Sequence, residues 1–203
     1  MLVRFSQTKE PAMPRLNSEQ QHARRTHILE GARSAFAKWG YHGCTVRRLE
    51  EEIRQSRGAI FNWYPDKWQL FVAVSEEDQQ RIASTLVDPV LPIVEWMTTL
   101  EVPYARAYAE ALGLLANDPQ KKKQWEARSP GLFEPVYAAM AERQSRGEIR
   151  NDMPARTIVS YLLVLLDGLT LRRSVGYPLT VREASSMREL AVDALRPRPT
   201  RVG

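Results

Sequence analysis

Six side chains between Thr45 and Lys67 have the types and spacing to engage a nucleic acid: Arg47, Arg48, Arg57, Asn62, Trp63 and Lys67. An arginine can make a bidentate contact to guanine and an asparagine to adenine, while lysine and arginine neutralise phosphates. Arg47 and Arg48 fall at the second and third positions of a short helix capped by Thr45. Cations are unfavourable at that positive end by a few tenths of a kcal/mol each, so an anion outside the helix is expected to hold them. The competing reading is that both arginines reach across to Glu50, Glu51 and Glu52.

These residues need two short helices and a tight turn to position them. Val46, Leu49 and Ile53 share one face of the first, which runs from Thr45 to about Ile53. The second is expected over Arg57–Tyr64, capped by Ser56 and stopped by Pro65. That spacing matches a helix-turn-helix whose second helix enters the major groove. Gly58 and Ala59 let its backbone approach the bases, and Phe61 or Trp63 can meet a thymine methyl or the sugar edge. Ile60 and Tyr64 read as anchors in the core, with Tyr64 also at the edge of the DNA-facing set. Lys67, in the first turn of the next helix, can reach a phosphate; Arg24 and Arg25 can do so from the preceding helix or can be ordinary solvated charges.

The charge distribution agrees. Residues 1–67 carry 12 Lys and Arg against 7 Asp and Glu, whereas residues 68–203 carry 17 of each, so the whole excess of +5 sits in the first third. A basic head on a neutral body suggests a polyanion-binding segment attached to a domain with another task. A merely solvated basic surface would show the same count.

The remaining chain reads as all-α. Residues 1–17 lack periodicity and form a flexible basic arm. The first helix starts at Ser18 in a capping box with Gln21, carries Ile28, Ala32, Ala35, Phe36 and Trp39 on one stripe, and ends at Gly40 in a left-handed C′ position. Asp66 and Gln69 open a long helix through Leu70, Phe71, Val74 and Ile82 that Asp88-Pro89 closes. Helical segments follow at Val90–Leu100, Tyr104–Ala116, Leu132–Gln144, Pro154–Val175 and Thr180–Leu195, with Ser129-Pro130-Gly131 as an interruption. Ile158, Tyr161, Leu162, Leu165, Leu166 and Leu169 make one of the last two apolar almost all round, so it is expected to be buried on most sides.

The segment GYHGCTVRRLEEEIRQSRGAIFNWYPDKWQLF resembles the DNA-binding domain of the TetR family of transcriptional regulators. Gly40, Tyr41 and Thr45 lead in, Ser56-Arg57-Gly58-Ala59 start the reading helix, and Phe61, Tyr64, Lys67 and Leu70 lead out. The resemblance covers about the first 70 residues. It implies a subunit of about nine helices, a DNA-binding domain at 18–65 and a ligand-binding and dimerisation domain at 66–203. It also implies a homodimer through the last two long helices, a double-stranded operator and a small-molecule effector. The family usually has glycine in the turn where this chain has Arg54; if φ stays positive there, arginine costs roughly 1 kcal/mol. Either the turn is reshaped or Arg54 offsets the strain with a phosphate contact. The words TVRRLEE and SRGAIF also resemble actinobacterial repressors of aconitase, a subgroup of the family.

For an effector, Trp96, Tyr104, Tyr108, Trp125, Tyr137 and Tyr161 supply aromatic faces, and Arg128 and Asp167 supply charges beside apolar stretches. Such a set suits a ligand with a ring or a carboxylate. No cofactor, metal site or catalytic set is expected: His22, His27 and His42 form no HExxH arrangement, and nothing resembles a nucleophile with its base. The single Cys44 permits no intrachain disulfide, and no apolar run approaches the roughly 20 residues of a membrane span, which places the chain in the cytoplasm. The expected activity is that of a ligand-responsive repressor. The alternative is a DNA-bound scaffold whose C-terminal body recruits a protein partner.

Overall fold

A computed structural model describes residues 18–86 and 104–198. The arm at 1–17, the segment Val90–Leu100 with Trp96, and the Asp88-Pro89 stop lie outside the described residues. Nine helices and no strand occur among those described: α1 Ser18–Gly43, α2 Val46–Ile53, α3 Arg57–Phe61, α4 Lys67–Leu86, α5 Ala105–Leu115, α6 Pro119–Ala127, α7 Ser129–Ser145, α8 Ala155–Ser174 and α9 Val181–Leu195.

The first core joins the reading unit to the body. Ile28, Ala32 and Phe36 of α1 meet Leu49 and Ile53 of α2, Ile60 of α3, and Leu70, Phe71 and Val74 of α4, all fully buried. Tyr104, Ala107 and Ala111, at the start of and along α5, belong to the same core. Aromatic edges organise it: Phe71 stands edge-on to Phe36, Tyr41 and Tyr104. A second core gathers Val136 and Met140 of α7, Ile158 and Leu162 of α8, and Ala191 and Leu195 of α9.

Three boundaries differ from expectation, each for a local reason. Gly40 does break α1, but with φ 69° and ψ 178° it sits in a region that only glycine occupies rather than in the left-handed well, and a further turn runs to Gly43. Helix α3 ends at Phe61 instead of Tyr64. There Trp63 N–H and Tyr64 N–H both donate to the Ile60 carbonyl, and Pro65 just beyond disfavours a further helical turn. Pro130 starts α7 rather than interrupting, since proline in a first turn forfeits no internal bond. Helix α8 buries one face only, through Ile158, Val159, Leu162 and Leu169; Val164 and Leu171 stay 69% and 56% exposed. Its apolar circumference exceeds what one subunit covers.

Candidate nucleic-acid interface and effector pocket

Helix α2 starts where Thr45 Oγ1 accepts the Arg48 N–H at 3.3 Å. The two cations beside that start part company. Arg47 turns back to Glu51, Nε to Oε1 2.9 Å, as the competing reading had it. Arg48 donates instead to the Gly43 carbonyl at 2.6 Å and lies over the Trp39 ring. Both remain exposed in front of α2.

Helix α3 is fixed at its start by two side chains. Ser56 caps the Ala59 N–H at 3.3 Å, and Glu50 accepts the Arg57 N–H at 2.6 Å. Ile60 is fully buried below, while Arg57, Gly58 and Asn62 are exposed and Ala59, Phe61 and Trp63 half-buried. A Cβ added to Gly58 would meet nothing within 4 Å, so this face is open. Tyr64 does not belong to that face: it is 7% exposed, and its hydroxyl accepts from Arg25 Nε at 3.2 Å. This placement agrees with its reading as a core anchor.

Lys67 is also spoken for inside the subunit. Its Nζ donates to the carbonyls of Tyr41 at 2.9 Å and Cys44 at 3.2 Å, and lies 4.4 Å from the centre of the Tyr41 ring. Burial lowers its pKa. Lys67 therefore ties α4 to the connection between α1 and α2, leaving one ammonium proton for a phosphate. Cys44 itself is fully buried, and burial pushes its thiol up to about 11, so it packs rather than reacts.

The turn between α2 and α3 keeps positive φ at Arg54, φ 56° and ψ 40°. Helix α1 pins it on both sides. His27 Nε2 lies 2.8 Å from the Ile53 carbonyl, to which only a protonated ring nitrogen can donate, and Arg24 donates to Gln55 Oε1 at 3.0 Å.

A second junction links the body to this unit. Glu110 of α5 accepts the His42 N–H at 2.9 Å and pairs with Arg106 at 2.8 Å. Burial pushes its carboxyl up, but the His42 N–H and Arg106 outweigh this and hold it below the usual carboxylate range. Its oxygens lie 2.8 and 2.9 Å from where a Cβ on Gly40 would stand. Sequence reasoning missed Glu50, His27 and Glu110. Their partners are backbone groups, which leave no mark in a residue pattern.

Of the aromatic and charged set expected around an effector, the structure brings Tyr104, Tyr108, Trp125 and Arg128 together, with Asp167 of α8 close enough to act electrostatically on Tyr108. Trp125 stacks on Phe71 and meets Trp68 and Tyr108. The Arg128 guanidinium lies 3.2 Å from the centre of the Trp125 ring, and its Nε donates to the Trp125 carbonyl. One terminal nitrogen of Arg128 and the amide oxygen of Gln79 are buried without a hydrogen-bond partner among the described residues. Burial lowers the Arg128 pKa to about 10, raises Tyr108 to about 12 and raises Asp167. A desolvated guanidinium with an open N–H, framed by rings, has the chemistry to accept a carboxylate. Tyr137 and Tyr161 lie elsewhere: Tyr137 packs on the second core under Arg156, and Tyr161 is on the exposed side of α8. A separate cleft of about 230 Å³ between α1 and α4, lined by His22, Arg25, Glu76 and Glu77, does not include this group.

Among the described residues no three His, Cys, Asp or Glu side chains could hold a metal ion, and no helix is long and apolar enough to cross a membrane.

Residues 28–74 match the family of bacterial regulatory proteins, tetR family. An HTH-type transcriptional repressor of Mycobacterium tuberculosis is 34% identical over 167 residues, covering 81% of this chain and 89% of that protein. The HTH-type transcriptional repressor AcnR of Corynebacterium efficiens is 39% identical over 157 residues, covering 75% and 82% respectively. Among solved structures, Salmonella enterica GusR shares the fold with a TM-score of 0.66 at 20% identity, over 90% of this chain and 99% of that one.

Proposed function

This chain belongs to the TetR family of bacterial regulatory proteins, and we propose that it represses transcription as a cytoplasmic homodimer that a small anionic effector releases from a palindromic operator. The observation that carries the reading is the open face of α3. Arg57, Gly58 and Asn62 are exposed on a helix whose buried side is locked by Ile60 and whose start is fixed by Ser56 and Glu50. In this reading Arg57 and Asn62 contact bases, with Gly58 and Ala59 permitting close approach and Phe61 and Trp63 flanking them. Thr45, Arg47, Arg48 and Ser56 position the phosphate backbone, helped by the remaining proton of Lys67. Arg47 exchanges Glu51 for phosphate on binding, at little cost for so exposed a pair.

A single five-residue reading helix contacts few base pairs, so two subunits are needed for useful specificity. The exposed apolar residues Val164, Leu171, Val175, Tyr177, Val181 and Leu190 of α8, α9 and their connection supply the dimer surface. Arg128, Tyr104, Tyr108 and Trp125 form the effector site, at the base of α5. Glu110 sits on the same helix and touches the turn that leads into α2, so occupancy and operator binding are coupled through α5. The reading assigns no catalytic chemistry. Resemblance to repressors named AcnR, and to aconitase repressors through TVRRLEE and SRGAIF, supports the promoter of an aconitase gene as one target.

Fluorescence anisotropy with duplexes from upstream of the protein's own gene and of an aconitase gene tests the proposal. Binding should saturate with two subunits per site and weaken steeply with salt. Undiminished affinity in Arg57→Ala would refute it.

A further inference from the structure

We propose that Arg54 contacts a DNA phosphate, and that the turn between α2 and α3 keeps a strained backbone in order to present this side chain. The inference rests on the DNA-binding reading of α2 and α3.

Arg54 is the one described non-glycine residue with positive φ. It caps α2 in the left-handed well, the position at which a helix end is relaxed by glycine and strained by any residue with a Cβ. The side chain is not what holds that conformation. The Ile53 carbonyl before it is bound by His27, the Gln55 side chain after it by Arg24, and the Arg57 N–H beyond by Glu50, at 2.8, 3.0 and 2.6 Å. The turn is thus determined by its neighbours, and glycine at 54 would serve the fold better. Nor does the guanidinium bond within the subunit. It is exposed and makes no hydrogen bond or ion pair among the described residues, acting only at longer range on the exposed Glu52 carboxylate. The two carboxylates just before it are committed elsewhere, Glu51 to Arg47 and Glu52 to Lys38 and Ser34.

A strained, exposed cation that forms no hydrogen bond or ion pair within its own subunit is placed to find a partner outside it. Arg54 stands two residues before the Ser56 cap and three before Arg57, beside the start of the helix that faces the groove. The partner at that place is the phosphodiester backbone, which arginine meets with two parallel N–H groups.

The test uses the full chain as wild type, Arg54→Gly and Arg54→Lys. Each is melted thermally and titrated with a mixed-sequence duplex about three helical turns long, between about 0.05 and 0.3 M KCl. Arg54→Gly should melt about 2–4 °C higher, because the left-handed strain is relieved. It should also lower the slope of log affinity against log salt by about 0.9 per bound subunit, which is about eightfold weaker binding at 0.1 M salt relative to the 1 M limit. Arg54→Lys should melt with wild type and keep most of the slope. An unchanged slope in Arg54→Gly, or a lower melting temperature, overturns the proposal while leaving wild-type DNA binding intact. Wild-type protein that binds no duplex at all overturns the DNA-binding reading and this inference together.

Discussion

Gly40→Ala probes the junction through which the body holds the reading unit. The backbone at Gly40, φ 69° and ψ 178°, lies where a residue with a Cβ is strained by about 1–3 kcal/mol. The new methyl would also stand 2.8 Å from Glu110 Oε2, far inside contact distance, so the carboxylate must withdraw from the His42 N–H. Losing a hydrogen bond to a charged group costs about 1.5–3 kcal/mol. The sum, about 2.5–6 kcal/mol, corresponds to a fall of roughly 5–24 °C in melting temperature for a chain of this size. Glu110→Ala alone loses the same bond, and in that background Gly40→Ala costs only the backbone strain. The double-mutant cycle should therefore return an interaction of about 1.5–3 kcal/mol, with the pair less destabilised than the sum of the singles. Urea melts followed in parallel by circular dichroism and tryptophan fluorescence provide the four stabilities and check that unfolding is two-state. A cost for Gly40→Ala that is the same with glutamate or alanine at 110 would refute the reasoning.

Arg128→Met keeps a long side chain on Trp125 while removing a desolvated charge, so stability should be unchanged or raised; the melting-temperature rise that di- or tricarboxylates give wild type should vanish in thermal-shift assays. The pH dependence has two opposite parts. Glu110, held below its ordinary 4.5, contributes stability above that pH that is lost as pH falls through its folded value, and Glu110→Gln should flatten this acid limb in melts between about pH 3 and 6. Asp167, raised from 3.8, has the reverse sign, but the residue is exposed and solvent screens its charge, so Asp167→Asn should raise stability only slightly at pH 7 and lose that gain below about pH 4. Leu190→Glu, in the exposed apolar surface of α9, should sediment as a monomer and bind operator without cooperativity; an intact dimer would relocate the interface.

Local signals made the reading unit legible from sequence. The caps Thr45, Ser56 and Asp66 and the apolar spacing of Leu49, Ile53 and Ile60 are short-range physics, and the structure forms each of them. Of the two readings sequence left open at Arg54, the structure sets aside the reshaped turn by keeping its positive φ. Lys67 shows where local reading stops. A lysine in the first turn of a helix can point to phosphate or inward, and here two carbonyls more than twenty residues earlier direct it inward. Glu110 and His42 are 68 positions apart, and one of the partners is a backbone N–H, so no residue pattern could join them. The all-round apolarity of α8 is legible in sequence, and the fold leaves one side of it open at Val164 and Leu171. Tyr137 and Tyr161 were grouped with Tyr104 and Tyr108 by residue type, whereas the fold divides them between two cores and a surface.

Hydroxyl-radical footprinting on DNA from upstream of the protein's own gene, with wild type beside Arg57→Ala, tests the central claim most directly. Two symmetric protected patches, centred about one helical turn or a small multiple apart and lost in Arg57→Ala, are the predicted result. Absence of a footprint at saturating protein, or an identical footprint from the variant, would contradict the assignment of α3 as the helix that reads DNA.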